Sequence, residues 1–143
     1  MRIFGHPLHP MLVHFPIAFW TAGSACDGLA LLGVRGAWPL AWPAIAIGVA
    51  AALPAAVAGL LDIVKLDGAA ARVASTHMLL MVSALTAYGA ALLTRSHGWG
   101  AAPGPGTLPV LLGGLGFLLL AAGGHFGASL VYTHGAGRSD ARE

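Results

Sequence analysis

The sequence predicts an all-α integral membrane protein: an up-down-up-down four-helix transmembrane bundle, one domain over residues 1–143, with both termini on the same side. Three observations predict it. Hydrophobic residues make up 57% of the chain and charged residues only 8%, too little charge to solvate a water-facing surface. Mean hydropathy is +0.81. Four apolar segments, about 11–33, 40–62, 72–94 and 107–133, each reach the roughly 20 helical residues that a hydrocarbon core about 30 Å thick requires.

The first span follows "FGHPLHP", whose Pro10 suits a helix start, and carries Pro16, which should kink or loosen it. "GVRGAWP" leads to the second span, with Pro39 at its start and Pro54 inside. "KLDGAAAR" separates the second span from the third, and "RSHGWGAAPGPG" separates the third from the fourth. Glycine, proline and charge collect where a chain leaves the bilayer. Connections this short imply antiparallel neighbours. Abundant Ala and Gly allow close helix approach in lipid. Residues 134–143 form a polar tail. The two halves show no convincing internal similarity, which argues against a repeat-built carrier.

Several function classes drop out. The net charge of +2 comes from few ionisable groups, and nothing resembles a basic nucleic-acid patch. Cys26 is the only cysteine, which removes intramolecular disulfides and Cys-rich metal sites. There is no Walker-type phosphate loop. The start lacks the features of a signal peptide, with only Arg2 before the apolar run. Ser24, Ser75, Ser83 and Ser129 have no recognisable base and orienter, so bond-making catalysis is not expected.

Lys and Arg near the span ends set orientation. The face with both termini and the 63–71 connector holds Arg2, Lys65, Arg72, Arg138 and Arg142; the other holds Arg35 and Arg95. This bias leans the termini towards the cytoplasm.

The polar residues gather on that terminal face. His14 lies about 6 Å inside the first span at 1.5 Å per residue, and His77 stands at similar depth in the third. Asp62 closes the second span, and His125 precedes the end of the fourth. His6 and His9 sit in the opening segment and His134 follows the last span. Ala18, Ala58, Ala84 and Ala121 suggest inward faces with room beside these groups. Only His97 falls on the other side, and it receives no role.

Taken singly, His6, His9, His97 and His134 read as interfacial residues bonded to backbone or water. Asp62 has an ordinary reading as a partner of Lys65 or Arg72, and Asp27 as a structural hydrogen-bonding or ion-pairing group. His14, His77 and His125 differ, because intramembrane ionisable groups are expensive and mark function by default.

Four blocks carry a resemblance: "GHPLHPMLVHFPIAFW" (5–20), "AGLLDIVKL" (58–66), "ARVASTHMLLM" (71–81) and "GASLVYTHGAG" (127–137). Together they resemble a bacterial integral-membrane family, the domain-of-unknown-function family twenty-two thirty-one, described as predicted membrane proteins. The likeness covers nearly the whole chain. Its blocks correspond here to His6, His9, His14, Asp27, Asp62, His77 and His134. His125, in "GGHFGA", matches a form found in part of the related redox modules. The resemblance implies a multi-pass protein of the bacterial inner membrane. It also implies neighbours such as Rieske-type iron–sulfur domains and cytochromes c, and hence electron transfer.

Three functions compete. The leading expectation is a b-type haem protein in electron transfer, with His14 and His77 reaching one iron from diagonal helices and His125 as a further ligand. Arg72, outside His77, would pair with a propionate; Trp20 and Tyr132 would line the ring. Its redox partner would be a cytochrome c, a Rieske-type protein or a quinone. The second is a porphyrin-free site for copper, zinc or non-haem iron, built from His14, His77, His125 and Asp62. There His6, His9 and His134 serve as relay or outer shell. The third is a proton-handling transporter or assembly partner, which at this size would work as a homo-oligomer.

Overall fold

The computed structural model describes residues 2–3, 6–95 and 104–136. His97, Arg138 and Arg142 lie outside the described residues, as does the side chain of His6. A minimal hairpin opens the chain: β1 (Arg2–Ile3) pairs antiparallel with β2 (His6–Pro7). Five helices follow: α1 (Leu8–Leu12), α2 (His14–Leu31), α3 (Ala37–Ile63), α4 (Gly68–Thr94) and α5 (Thr107–Tyr132).

The expected first span is corrected in two ways. It begins earlier than residue 11, and it is divided at Val13 into α1 and α2. Pro16 explains the division. It has no N–H to donate to Leu12, and its ring crowds that carbonyl, while the flanking bonds persist from Val13 to His9 and from Ile17 to Val13. The other spans stand close to their expected limits. Among the described residues, three helices are long and apolar enough to cross a membrane: α3, α4 and α5. The helix α2, which carries His14 and Asp27 within 18 residues, is not among them. At 1.5 Å per residue, α3 and α4 reach about 40 Å. The connector into α3 turns on Gly36, whose φ of 84° favours a residue without Cβ.

The four long helices form a closed ring of neighbours. α2 packs closely along α3, and α4 along α5, while lighter contacts join α3 to α4 and α2 to α5. Glycine and alanine make the close approaches. A Cβ at Gly48 would collide with the Trp20 indole, and one at Gly116 would come within 2.9 Å of the Tyr88 ring. In lipid, where apolar surface gains nothing by leaving solvent, such close packing is what associates helices. The core is Trp20, Ile45, Ala52, Ala84, Tyr88 and Leu120.

The contacts repeat between the two halves, although their sequences show no convincing similarity. His9 reaches Ala55, and His77 reaches Gly123, each across 46 residues. Trp20 seats on Gly48 as Tyr88 seats on Gly116; His9 lies on Gly59 as His77 lies on Gly127. The equivalent residues also touch one another, 68 residues apart: Trp20 with Tyr88 and Asp27 with Arg95, in register with His9 and His77. Residues that meet their own equivalents lie on a local two-fold axis. These pairs meet in the same chain order, so the axis runs along the helices. The α1–α3 and α4–α5 units are therefore parallel structural repeats. Sequence identity hid them because most matched positions differ, as Trp20 and Tyr88 or Asp27 and Arg95 do.

Candidate functional site

The pairs on the axis build the molecule's polar interior. At one end stand His9, on α1, and His77, on α4. Their ring centroids are 6.4 Å apart and their planes are at 82°. Both rings are half-buried. Each is held alike: Nδ1 of His9 donates to the carbonyl of Ala55, and Nδ1 of His77 to that of Gly123, both at 2.8 Å. A carbonyl only accepts, so each Nδ1 carries hydrogen, which in a neutral ring leaves the lone pair on Nε2.

Glycines make room for both rings. A Cβ at Gly59 would stand 2.9 Å from Cε1 of His9, and one at Gly127 would stand 3.0 Å from Cε1 of His77. The close approach of the rings to Gly59 and Gly127 brings the carbonyls of Ala55 and Gly123 within reach of the imidazoles. Backbone anchoring of this kind fixes tautomer and ring orientation and raises ligand basicity.

The sequence-predicted residues divide here. His77 belongs to the pair, and His9 joins it as the partner expected of His14. His14 is exposed on the outer surface of α2. It comes five residues after His9, past the break that Pro16 imposes, and so turns away from the axis. His125 is exposed too, edge-on to Phe126 at 5.6 Å. Ala18 and Ala121, expected on inward faces, are exposed, whereas Ala58 and Ala84 are buried.

Asp62 bonds Lys65 at 2.9 Å, three residues on, as its ordinary reading held. Arg72 is exposed, Tyr132 is 83% exposed, and half-buried His134 caps the end of α5 through its N–H to Ser129. Among the described residues, no three His, Cys, Asp or Glu side chains gather closely enough to share a metal ion. The shell of three histidines and Asp62 is therefore not assembled, because its members lie on different helix faces.

Midway along the axis, Trp20 and Tyr88 stack with centroids 4.7 Å apart and planes at 15°. Such a pair contributes about 0.5–1.5 kcal/mol beyond its area. The Ser24 hydroxyl donates to the Tyr88 oxygen at 2.8 Å, and Tyr88 donates to the Trp20 carbonyl at 3.4 Å. At the far end Arg95 pairs with Asp27, with the guanidinium carbon 4.2 Å from the Trp38 ring centre. Asp27 thus has the ion-pairing role expected of it, with a partner that the sequence reading had counted only as a loop charge.

The sequence placed His9 in a relay or outer shell, not beside His77, and a signal for the pairing existed. His9 and His77 stand at the same offset as Gly48 and Gly116, and Gly59 and Gly127. A search for recurring histidine and glycine spacings, in place of overall identity, finds it.

A family profile described as predicted membrane protein (DUF2231) matches residues 5–140. No curated protein and no solved structure matches the chain.

Proposed function

The chain belongs to the family of predicted membrane proteins DUF2231, and we propose that it is a small b-type haem protein of electron transfer, its iron held between His9 and His77. The observation that carries this reading is the imidazole pair itself: two rings 6.4 Å apart, each anchored through Nδ1 on a carbonyl. With metal–nitrogen bonds of about 2.0–2.1 Å, two imidazoles on one ion have ring centres roughly 6 Å apart. The donor set fits: two imidazoles, each anchored through Nδ1 on a carbonyl, at one end of a helical bundle.

Haem bound there supplies one-electron exchange between ferric and ferrous states. The protein's share would be to hold the iron through His9 and His77. The carbonyls of Ala55 and Gly123 orient the rings. In this reading the helices cross the bacterial inner membrane in up-down-up-down order, with both termini on the cytoplasmic side by the Lys and Arg bias. Electrons pass to or from a cytochrome c, a Rieske-type protein or a quinone.

A second reading shares the same observation. Two imidazoles also suit a single porphyrin-free ion, copper above all, with further ligands from solvent or a second copy.

The test is a dithionite-reduced minus oxidised visible spectrum of the detergent-purified protein, with metal analysis on the same sample. A sharp reduced α-band with one iron per chain is expected. A colourless protein with one copper per chain gives the pair to the second reading. A colourless, metal-free protein that also fails to take up added haem or copper overturns both.

A further inference from the structure

The contacts that seat the histidines and the aromatic rings lie within one half or the other. His9 bonds Ala55 and Trp20 seats on Gly48, all in α1–α3; His77 bonds Gly123 and Tyr88 seats on Gly116, all in α4–α5. Each half therefore carries a finished face. The two faces meet along the axis at three places: His9 with His77, Trp20 with Tyr88, and Asp27 with Arg95. Faces so alike raise a question of partner choice. Copies inserted alike in a membrane present these faces in the same orientation, so a first half could meet a first half, and a second half a second half.

Two of the three meeting places scarcely distinguish these arrangements. Imidazole would face imidazole in every case, each ring still bonded to a carbonyl of its own half. Aromatic ring would face aromatic ring, with only the neutral Ser24–Tyr88 hydrogen bond at stake. The third place differs in kind. Like halves would set Asp27 against Asp27 and Arg95 against Arg95, at side chains that are only 5% and 3% exposed. Like charges repel strongly when buried, and such juxtapositions suppress wrong partners. Stability alone does not account for the pair. Replacing a buried ion pair by apolar groups of similar volume is often neutral or stabilising, whereas the best-attested use of buried polar groups is to fix register and partner.

We propose that Asp27 and Arg95 choose the partner of each half: they direct the α1–α3 face onto the α4–α5 face and deny it to the same face of a second copy. The test compares three full-length proteins by native mass spectrometry from detergent micelles, counting chains per particle: wild type, Asp27→Leu with Arg95→Leu, and Asp27→Arg with Arg95→Asp. The neutral pair should stay helical by circular dichroism. Its fraction of particles with twice the wild-type number of chains should rise at least about tenfold, since the repulsion between like halves is gone. The reversed pair should match wild type, because opposite charges again meet only between unlike halves. A neutral pair that keeps the wild-type count overturns the proposal, and so does a reversed pair that departs from it. If the leucine pair fails to fold, Asp27→Asn with Arg95→Gln takes its place under the same reading. Failure of both neutral pairs to fold makes Asp27 and Arg95 a requirement of stability and overturns the proposal as well.

Discussion

The two helix pairs make the same contacts with different residues, and the differences sort by what each position does. At the histidine end the repeats keep chemistry: imidazole at 9 and 77, glycine at 59 and 127. At mid-axis they keep shape alone, with Trp20 in one half and Tyr88 in the other, each on its own glycine. At the far end they are complementary, with Asp27 facing Arg95. A position on a two-fold axis meets its own equivalent, so identical charges there would repel. Identity is tolerated by a group that can be neutral, as imidazole can, and disfavoured for groups of like fixed charge. The comparison teaches that the axis, more than either half, is the organising element.

The largest effect expected is at the position where the halves are alike. On the proposed reading, His9→Ala and His77→Ala should each abolish cofactor retention, read as haem per chain after purification, because each would remove one of the two ligands. Unequal loss would break the equivalence. Next comes the complementary position. Asp27→Ala leaves Arg95 buried and unpaired and should lower stability by about 3–5 kcal/mol, measured by denaturant unfolding in mixed micelles. The double exchange Asp27→Arg with Arg95→Asp should recover most of that loss if the two positions are equivalent.

Gly48→Ala and Gly116→Ala should each cost about 1–3 kcal/mol by overpacking against Trp20 and Tyr88, with similar values for the two halves. Smaller again is Ser24→Ala, at about 0.5–1.5 kcal/mol. It removes the bond to Tyr88, and its counterpart in the second half, Leu92, makes no such bond. Smallest is His14→Ala, on the exposed face of α2, which should change neither stability nor cofactor content.

Much of this was legible in the sequence. The spans 40–62, 72–94 and 107–133 fell within a few residues of α3, α4 and α5, since long apolar runs ended by glycine and proline leave few alternatives. Asp27 as an ion-pairing group and Asp62 as a partner of Lys65 were legible as well. That His9, and not His14, packs beside His77 turns on one local fact. Proline at 16 breaks the ladder at Val13, so a helical wheel drawn through residue 11 onwards assigns the wrong face to everything before the break. The repeat was hidden because close helix packing in lipid constrains small residues and volumes far more than side-chain identity. His9, at the edge of the apolar run, looked interfacial for the same reason: its inward contact is to a carbonyl 46 residues away, which no local pattern reports.

The most direct test of the histidine pair is pulsed electron paramagnetic resonance on the oxidised protein, grown with ¹⁵N-labelled histidine. Two histidine nitrogens coupled to one low-spin ferric centre, in wild type and in His14→Ala alike, is the result the account predicts. A centre coupled to a single histidine, or one that loses a histidine coupling in His14→Ala while His9→Ala keeps both, would contradict it.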